Sequence, residues 1–398
     1  MCLTGHAKHT WKPVLLFGSC VAVGSTSRIR GPMRYRLLLP SLLTLTALGL
    51  AACGNDSATA PTQPAEPVRG GAEMAVTSNS WITRAALPAS FRAEMATATV
   101  TNAAGQSVVY SIGGVDAIGN PRTNVAAYNV ATNTWTSRRA LPRPLASTNG
   151  AGVINGKIYV SGGYSSRDDQ FSWRPWLYMY DPATNTWTRK RDLPAVTVYG
   201  LREYAAGEGV TGVIGGKLYV ASHVFVDVGD PSSGLDRWYG TLFLRYKPGT
   251  DEWVRLPEPF ATETEAVRPT GGGVIDGKFY LMGATTEDRG GRLAVYDPAT
   301  DEWTTRTPLR LGRPSAGSAV LGGKLYVMGG SRYNAKTGYY DLLDVTIAYD
   351  PSKDTWTPLA PLPSSRDRVS ATRVFLNGKA RIELVGWFAP GNNLQYVP

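Results

Sequence analysis

A chain of 398 residues with 44 glycines and 27 prolines can bury a sizeable core and is rich in the residues that make tight turns. Its formal charge of +10 is not a nucleic-acid signature: six basic residues and no acids fall within residues 1–52, which leaves 35 basic against 31 acidic residues, and no basic run interleaved with aromatics follows. The three cysteines end at Cys53, so the rest of the chain can form neither a disulfide nor a thiolate metal site.

The first predicted element is an address. Residues 33–53 read MRYRLLLPSLLTLTALGLAAC: Arg34 and Arg36 form a positive start, residues 37–50 an apolar run too short to span a bilayer, and Ala51 and Ala52 precede Cys53. This resembles the signal and lipobox of bacterial lipoproteins. The resemblance implies cleavage before Cys53, lipidation of that cysteine, and sorting to the outer membrane, because Gly54 follows it. Residues 1–32 then read as translation from an upstream start, 33–52 as the signal peptide, and 53–80 as the lipidated cysteine and a flexible Pro/Ala/Thr/Ser tether. The expected folded domain is 81–398.

Within it, an octet recurs: YNVATNTW at 128–135, YDPATNTW at 180–187, YKPGTDEW at 246–253, YDPATDEW at 296–303 and YDPSKDTW at 349–356. Before each octet lies a pair of apolar runs, as in GAGVINGKIYVSGG at 150–163. The runs are split by Asn155-Gly156, Gly215-Gly216, Asp276-Gly277 and Gly322-Gly323. Such pairs favour the type I′ turn of a β-hairpin, which needs positive φ at both central residues. Small residues close the second run, among them Gly113-Gly114, Gly162-Gly163 and Gly329-Gly330. A variable loop follows, then a third strand ending at the Tyr, an Asx-rich turn, and a fourth strand opened by the Trp.

Four strands at a period near fifty are the pattern of a propeller blade. A glycine pair, then Tyr, then Trp seven residues on, resembles the kelch repeat across 81–398. The resemblance implies an all-β, six-bladed β-propeller of four-stranded antiparallel blades. The Trp and Tyr are then core residues. The ends are complementary: SWITRAALP at 80–88 has a fourth-strand pattern with nothing before it, whereas 371–398 supplies a hairpin at Asn377-Gly378 and a strand near Tyr396 with no fourth strand after it. The ring is therefore expected to close by an N-terminal strand joining three C-terminal ones.

Each unit carries an arginine before its first hairpin: Arg92, Arg143, Arg202, Arg268, Arg313 and Arg366, the last replaceable by Arg368. In kelch folds this region borders the central channel, so the arginines would focus a positive field suited to carboxylate or phosphate. They could equally cap loops or pair with neighbouring acids such as Glu94. Three inserts between second and third strands, at 164–177, 223–242 and 331–343, carry surplus aromatics, including Trp173, Trp176 and Trp238, able to stack on sugars or anchor a protein.

Kelch proteins span binding modules, sugar-acid epimerases and copper oxidases. The oxidase ligand set is absent, because the folded part has one histidine, His223, and no cysteine. Zinc fails on the same ground, and a serine triad could use only His223, with no G-x-S-x-G around any serine. A sialic-acid-like epimerase would need a mouth arginine and an acid, for which Glu203 and Glu208 are the catalytic candidates. The expectation is a monomeric, non-catalytic, cofactor-free propeller that recognises a glycan or a protein, touching the membrane only through its lipid.

Overall fold

The computed structural model describes residues 78–88, 93–167, 170–198, 201–204, 207–227, 237–260, 267–285, 290–310, 312–334, 336–386 and 393–398. The chain divides after Pro67, and all of these residues belong to the part that follows. Cys53 and the leader lie outside the described residues.

The described residues build six four-stranded antiparallel sheets, the blades of a β-propeller, and no helix. Blade one comprises Ala96–Thr101, Ser107–Ile112, Val125–Asn129 and Thr134–Ser137. Blade two comprises Ala151–Ile154, Lys157–Ser161, Leu177–Asp181 and Thr186–Lys190. Blade three comprises Gly209–Ile214, Lys217–Asp227, Arg237–Lys247 and Glu252–Arg255. Blade four comprises Val267–Ile275, Lys278–Thr285, Gly291–Asp297 and Glu302–Thr305, and blade five Gly317–Leu321, Lys324–Met328, Thr346–Asp350 and Thr355–Leu359. Blade six joins Ser370–Leu376, Lys379–Val385 and Asn393–Val397 to the N-terminal Ser80–Thr83, with Trp81 opposite Tyr396. The first strands of successive blades adjoin one another around the ring, including those of blades six and one.

The hairpin turns are as the sequence predicts. Both central residues have positive φ at Asn155-Gly156, Gly215-Gly216, Asp276-Gly277, Gly322-Gly323 and Asn377-Gly378. Each junction between blades holds an apolar cluster with a fourth-strand Trp packed against it: Trp187, Trp253, Trp303, Trp356, Trp81 and Trp135 in ring order. The tyrosines of the octets, with Tyr396, are the fully buried members, whereas the indoles are only half-buried.

The octet's recurring spacing has a second purpose. Every indole Nε1–H donates to a carbonyl of the preceding blade, at 2.8–3.1 Å, from Trp81 to Ala360 through Trp356 to Thr307. Two residues before each Trp stands an Asn or Asp with φ between 52° and 60°: Asn79, Asn133, Asn185, Asp251, Asp301 and Asp354. These two residue types tolerate the left-handed region because their short polar side chains bond locally. Each Asx accepts the hydroxyl of the buried Tyr. Five of them also accept a backbone N–H of the preceding blade at 2.8–3.0 Å. Indole and Asx thus form a two-point clip between blades. Asn79 belongs to the clip of blade six, so the propeller's contacts start two residues before the expected boundary at 81.

Three inserts expected as loops are ordered as strand. Tyr164–Arg167 pairs with Gln170–Trp173, and Ser331–Asn334 with Tyr339–Leu342, each as a two-stranded ribbon. In blade three the second and third strands continue past the sheet, His223–Asp227 pairing with Arg237–Thr241. The reason is composition: HVFVD and RWYGT are β-branched and aromatic, which favours continued pairing over a loop. A further ribbon, Ala195–Val198 with Leu201–Tyr204, stands between blades two and three.

The glycine pairs are needed for close approach. Gly329 has φ +65°, and a Cβ there would lie 2.4 Å from the Arg366 carbonyl oxygen. Gly329→Ala is expected to cost about 2–4 kcal/mol, from backbone strain and a clash with main chain. Gly323→Ala, at φ +71° with open space around it, should cost about 1 kcal/mol. Urea denaturation midpoints of the two variants test this.

Candidate functional site

The first strand of each blade starts where the previous blade's connection arrives, and its hairpin turn lies at the opposite end. Connections from fourth to first strands and from second to third strands therefore share one face, here called the upper face. The lower face is limited to hairpin and octet turns. All ribbons and the blade-three extension lie at the upper face, as do Arg143, Arg268, Arg313, Arg366, Glu208, Trp173 and Trp176, which sit on its connections or at its strand ends.

Just ahead of the first strand, four successive blades place a non-glycine residue in the left-handed region: Ser315, Arg368, Glu94 and Ser147, with φ of 61°, 53°, 60° and 45°. Their backbones link head to tail across the blades. Arg368 N–H donates to the Ser315 carbonyl at 2.8 Å, Glu94 to Arg368 at 3.2 Å, and Ser147 to Glu94 at 3.1 Å. This arc fixes the direction of four side chains around part of the channel mouth.

The centre of the arc is Glu94. Its Oε1 accepts from Arg368 at 2.7 Å; its Oε2 accepts from the Ser147 hydroxyl at 2.6 Å and the Tyr164 hydroxyl at 3.1 Å. The partners come from blade six, the start of blade two and the blade-two ribbon. The Arg368–Glu94 pair is mostly withdrawn from water. Beside it the Asp367 carboxyl is buried, and one of its oxygens has no hydrogen bond among the described residues. Burial pushes Asp367 up to about 6, partly offset by Arg368 and reinforced by Glu94. Burial and the Glu94 charge hold the Tyr164 phenol well above its ordinary range.

A second group lies on blades three and four. Arg268 pairs with Glu208 at 3.3 Å, both partly exposed. His223 is buried at the foot of the blade-three extension; burial and the Arg268 charge lower it to about 3, so it is neutral. Asn149, fully buried, accepts from Ser222 at 2.9 Å and ties blades two and three together.

The expected arginines thus have different surroundings. Arg268 is ion-paired, Arg143 is exposed, and Arg313 is half-buried, its guanidinium lowered by desolvation. Arg366 is buried and folds back on Ser364, donating to its carbonyl at 3.3 Å and its hydroxyl at 2.7 Å. The mouth is lined at this point by Arg368, the alternative noted for the sixth unit. Arg92 lies outside the described residues, as do the side chains of Arg202, Glu203 and Trp238. Among the aromatics, Trp173 is exposed on its ribbon and stacks edge-on with Tyr164. Trp176 is instead held between the guanidiniums of Arg174 and Arg189, at 5.5 and 5.3 Å, and is part of the blade. Ile118 and Tyr339 are exposed on upper-face connections of blades one and five.

Sequence reasoning gave Glu94 only a pairing role and did not single out Ser147, Tyr164 or Asp367. Nothing local distinguishes them; a serine or an acid before a strand is ordinary until the ring brings it beside Arg368. Among the described residues no three His, Cys, Asp or Glu side chains gather to hold a metal ion.

The Kelch motif matches residues 147–194 and 312–363, which are blades two and five. The chain is 27% identical over 249 residues to the Kelch-like protein terF of Aspergillus terreus, covering 60% of this chain and 50% of the fungal protein. It is 26% identical over 280 residues to Kelch-like protein 35 of Mus musculus, covering 69% and 41%. These matches support a kelch-repeat family. The chain spans half or less of the length of these two curated relatives. The solved structure titled "Structure of YjhT" aligns with a TM-score of 0.58 at 17% identity, covering 78% of this chain and 94% of that one, a likeness of fold alone.

Proposed function

We propose that this kelch propeller is a non-catalytic recognition module that binds a protein ligand on its upper face, and that lipidation of Cys53 holds it to the outer membrane of a bacterial envelope. The observation that carries the reading is asymmetry. Every ribbon, the extended hairpin, the exposed Trp173, Ile118 and Tyr339 and the Arg268–Glu208 pair share one face, whereas the lower face is limited to tight turns and, among the exposed large hydrophobics, Phe375. Exposed aromatic anchors around partly exposed charges are the usual make-up of a protein contact surface.

The polar groups of the mouth favour recognition over proton transfer. Glu94 already accepts from three donors, Tyr164 resists ionisation, His223 is neutral and buried, and Glu208, one of the two acids that an epimerase could use, is engaged by Arg268.

The test is a displayed-peptide library and a glycan array screened in parallel against the full chain. Peptide ligands are expected, with affinity falling about tenfold or more in Trp173→Ala, Tyr339→Ala and Arg268→Ala. Phe375→Ala, near a lower-face hairpin turn, should leave binding intact. Glycan ligands with the same dependence would keep the face and replace the ligand class. Turnover of a sugar acid, or binding insensitive to the three upper-face changes, would overturn the proposal.

A further inference from the structure

Five second strands carry a tyrosine at the same register, beside the residue opposite the octet tyrosine: Tyr110, Tyr159, Tyr219, Tyr280 and Tyr326. Each packs its ring against the octet tyrosine of the next blade, or Tyr396 in blade six, with centroids 5.6–6.2 Å apart. Blade six breaks the pattern. Where KIYV, KLYV, KFYL and KLYV stand in blades two to five, it has RIEL at 381–384, so Glu383 takes the tyrosine's place. This is the junction where the chain's two ends meet.

Glu383 is fully buried. Its Oε2 accepts from Gln395 at 2.8 Å, and its Oε1 has no hydrogen bond among the described residues. The groups around it come from four segments. Arg381, on its own strand, donates to the Gln395 side-chain oxygen Oε1 at 2.6 Å. Gln395 and Asn393 lie on the adjacent strand, and Asn393 donates to the Ala85 carbonyl at 3.1 Å. Arg84, just after the N-terminal strand, spends its donors on blade one, on the Tyr128 hydroxyl at 2.9 Å and the Val130 carbonyl at 2.7 Å. Tyr128 of blade one lies close enough to feel the Glu383 charge, and its phenol is pushed up to about 12 by burial first and that charge second. Buried, with one carboxylate oxygen lacking a hydrogen bond among the described residues, an ionised Glu383 is incompletely solvated. Elsewhere in the ring, one blade's four strands are continuous in sequence. In blade six the three C-terminal strands meet Ser80–Thr83 by noncovalent contacts between distant parts of the chain, with Ile82 opposite Gln395.

We propose that Glu383 makes the seam of the ring a pH-sensitive latch, tight when the carboxyl is protonated and loosened when it ionises. Burial holds the carboxyl up to about 7, against smaller opposing effects of Gln395, Arg84, Asn393 and Arg381. The folded-state value is raised, so its stabilisation is complete below the ordinary glutamate range and is lost as pH rises through about 7. Over that window the folding constant is expected to fall on the order of 100-fold. Asp367, raised to about 6, acts with the same sign at the mouth and must be separated from it.

Hydrogen exchange on the full chain at pH 5.5 and 8, corrected for the intrinsic rate, tests the latch. Protection of residues 80–83 and 393–397 is expected to fall about tenfold or more at the higher pH, beyond any change in blades two to five. Glu383→Gln, which keeps the shape, and Glu383→Tyr, which restores the residue used by the other blades, should both abolish the change. Asp367→Asn should retain it. Wild-type protection equal at both pH values, a loss spread evenly over all blades, or an undiminished loss in Glu383→Gln would each overturn the proposal.

Discussion

Deleting residues 79–88 is expected to lower the melting temperature by about 10 °C or more, or to abolish cooperative unfolding. The segment supplies the fourth strand of blade six, with Ser80–Thr83 paired to Leu394–Val397. It also supplies both parts of that blade's clip: the Trp81 indole bonded to Ala360, and Asn79 bonded to the Tyr396 hydroxyl and the Ala360 N–H. Losing a half-buried Trp costs about 3 kcal/mol. Leaving the buried Tyr396 hydroxyl and the paired backbone without partners adds about 1–3 kcal/mol for each group. More than about 5 kcal/mol is a large fraction of a domain's stability, and in a domain this large each kcal/mol moves the midpoint by about 2 °C. Trp81→Ala alone should show about half the effect. Thermal melts followed by circular dichroism are the measurement, and a shift below about 2 °C for the deletion would refute closure by this strand.

The next largest effect is expected at the clip itself. Asp354 accepts the Tyr349 hydroxyl at 2.5 Å and the Thr307 N–H at 3.0 Å through one oxygen, and the Thr307 hydroxyl at 3.0 Å through the other, with φ of 52°. Asp354→Ala removes three acceptor contacts and places alanine in the left-handed region, for an expected loss of about 2–4 kcal/mol. Asp354→Asn keeps an oxygen acceptor and a tolerated backbone, as Asn133 and Asn185 do in their blades, and should cost under about 1 kcal/mol. The two also differ in acid. The Tyr349 hydrogen bond holds Asp354 below the usual range; desolvation, the next effect in size, acts against it, and the Thr307 bonds and Arg306 add to the lowering. Its stabilisation is therefore present above the ordinary aspartate range and is lost as pH falls through the lowered value. Urea midpoints at pH 7 and pH 3 should show the asparagine variant less sensitive to acid than the wild type. Equal losses in Ala and Asn variants at pH 7 would remove the clip as the explanation of the octet.

Much of this architecture is written locally. The Asn-Gly and Gly-Gly pairs adopt the turns their conformational freedom allows, and the Tyr-to-Trp octets mark the third and fourth strands of five blades. The complementary ends were legible too, because SWIT reads as a fourth strand and 371–398 as the three strands that come before one. Two signals were present but easy to pass over. The Asx two residues before each Trp recurs in SNSW at 78–81, which includes Asn79 in the pattern. The change from KIYV to RIEL at 381–384 announces a polar seam. Neither means much until the clip and the tyrosine pairs are seen across blades. The ribbon at Tyr164–Trp173 and the extension of blade three were harder, because a turn of the chain off the sheet and a continuation along it share the same composition.

By itself, then, the sequence determined the unit, its turns, its aromatic core and the number of units, because these rest on φ preferences, strand alternation and contacts within about fifty residues. Tertiary structure alone decided the mouth. Glu94 and Arg368 lie 274 positions apart and are brought to 2.7 Å by the shutting of the ring. Whether an arginine turns to the channel, as Arg368 does, or back onto its own loop, as Arg366 does, depends on the backbone direction that neighbouring blades impose. The same holds for Glu383, whose burial follows from the blade packed against it. Side chains that meet only across blade boundaries leave no periodic trace in one chain, since no local interaction requires them to be there.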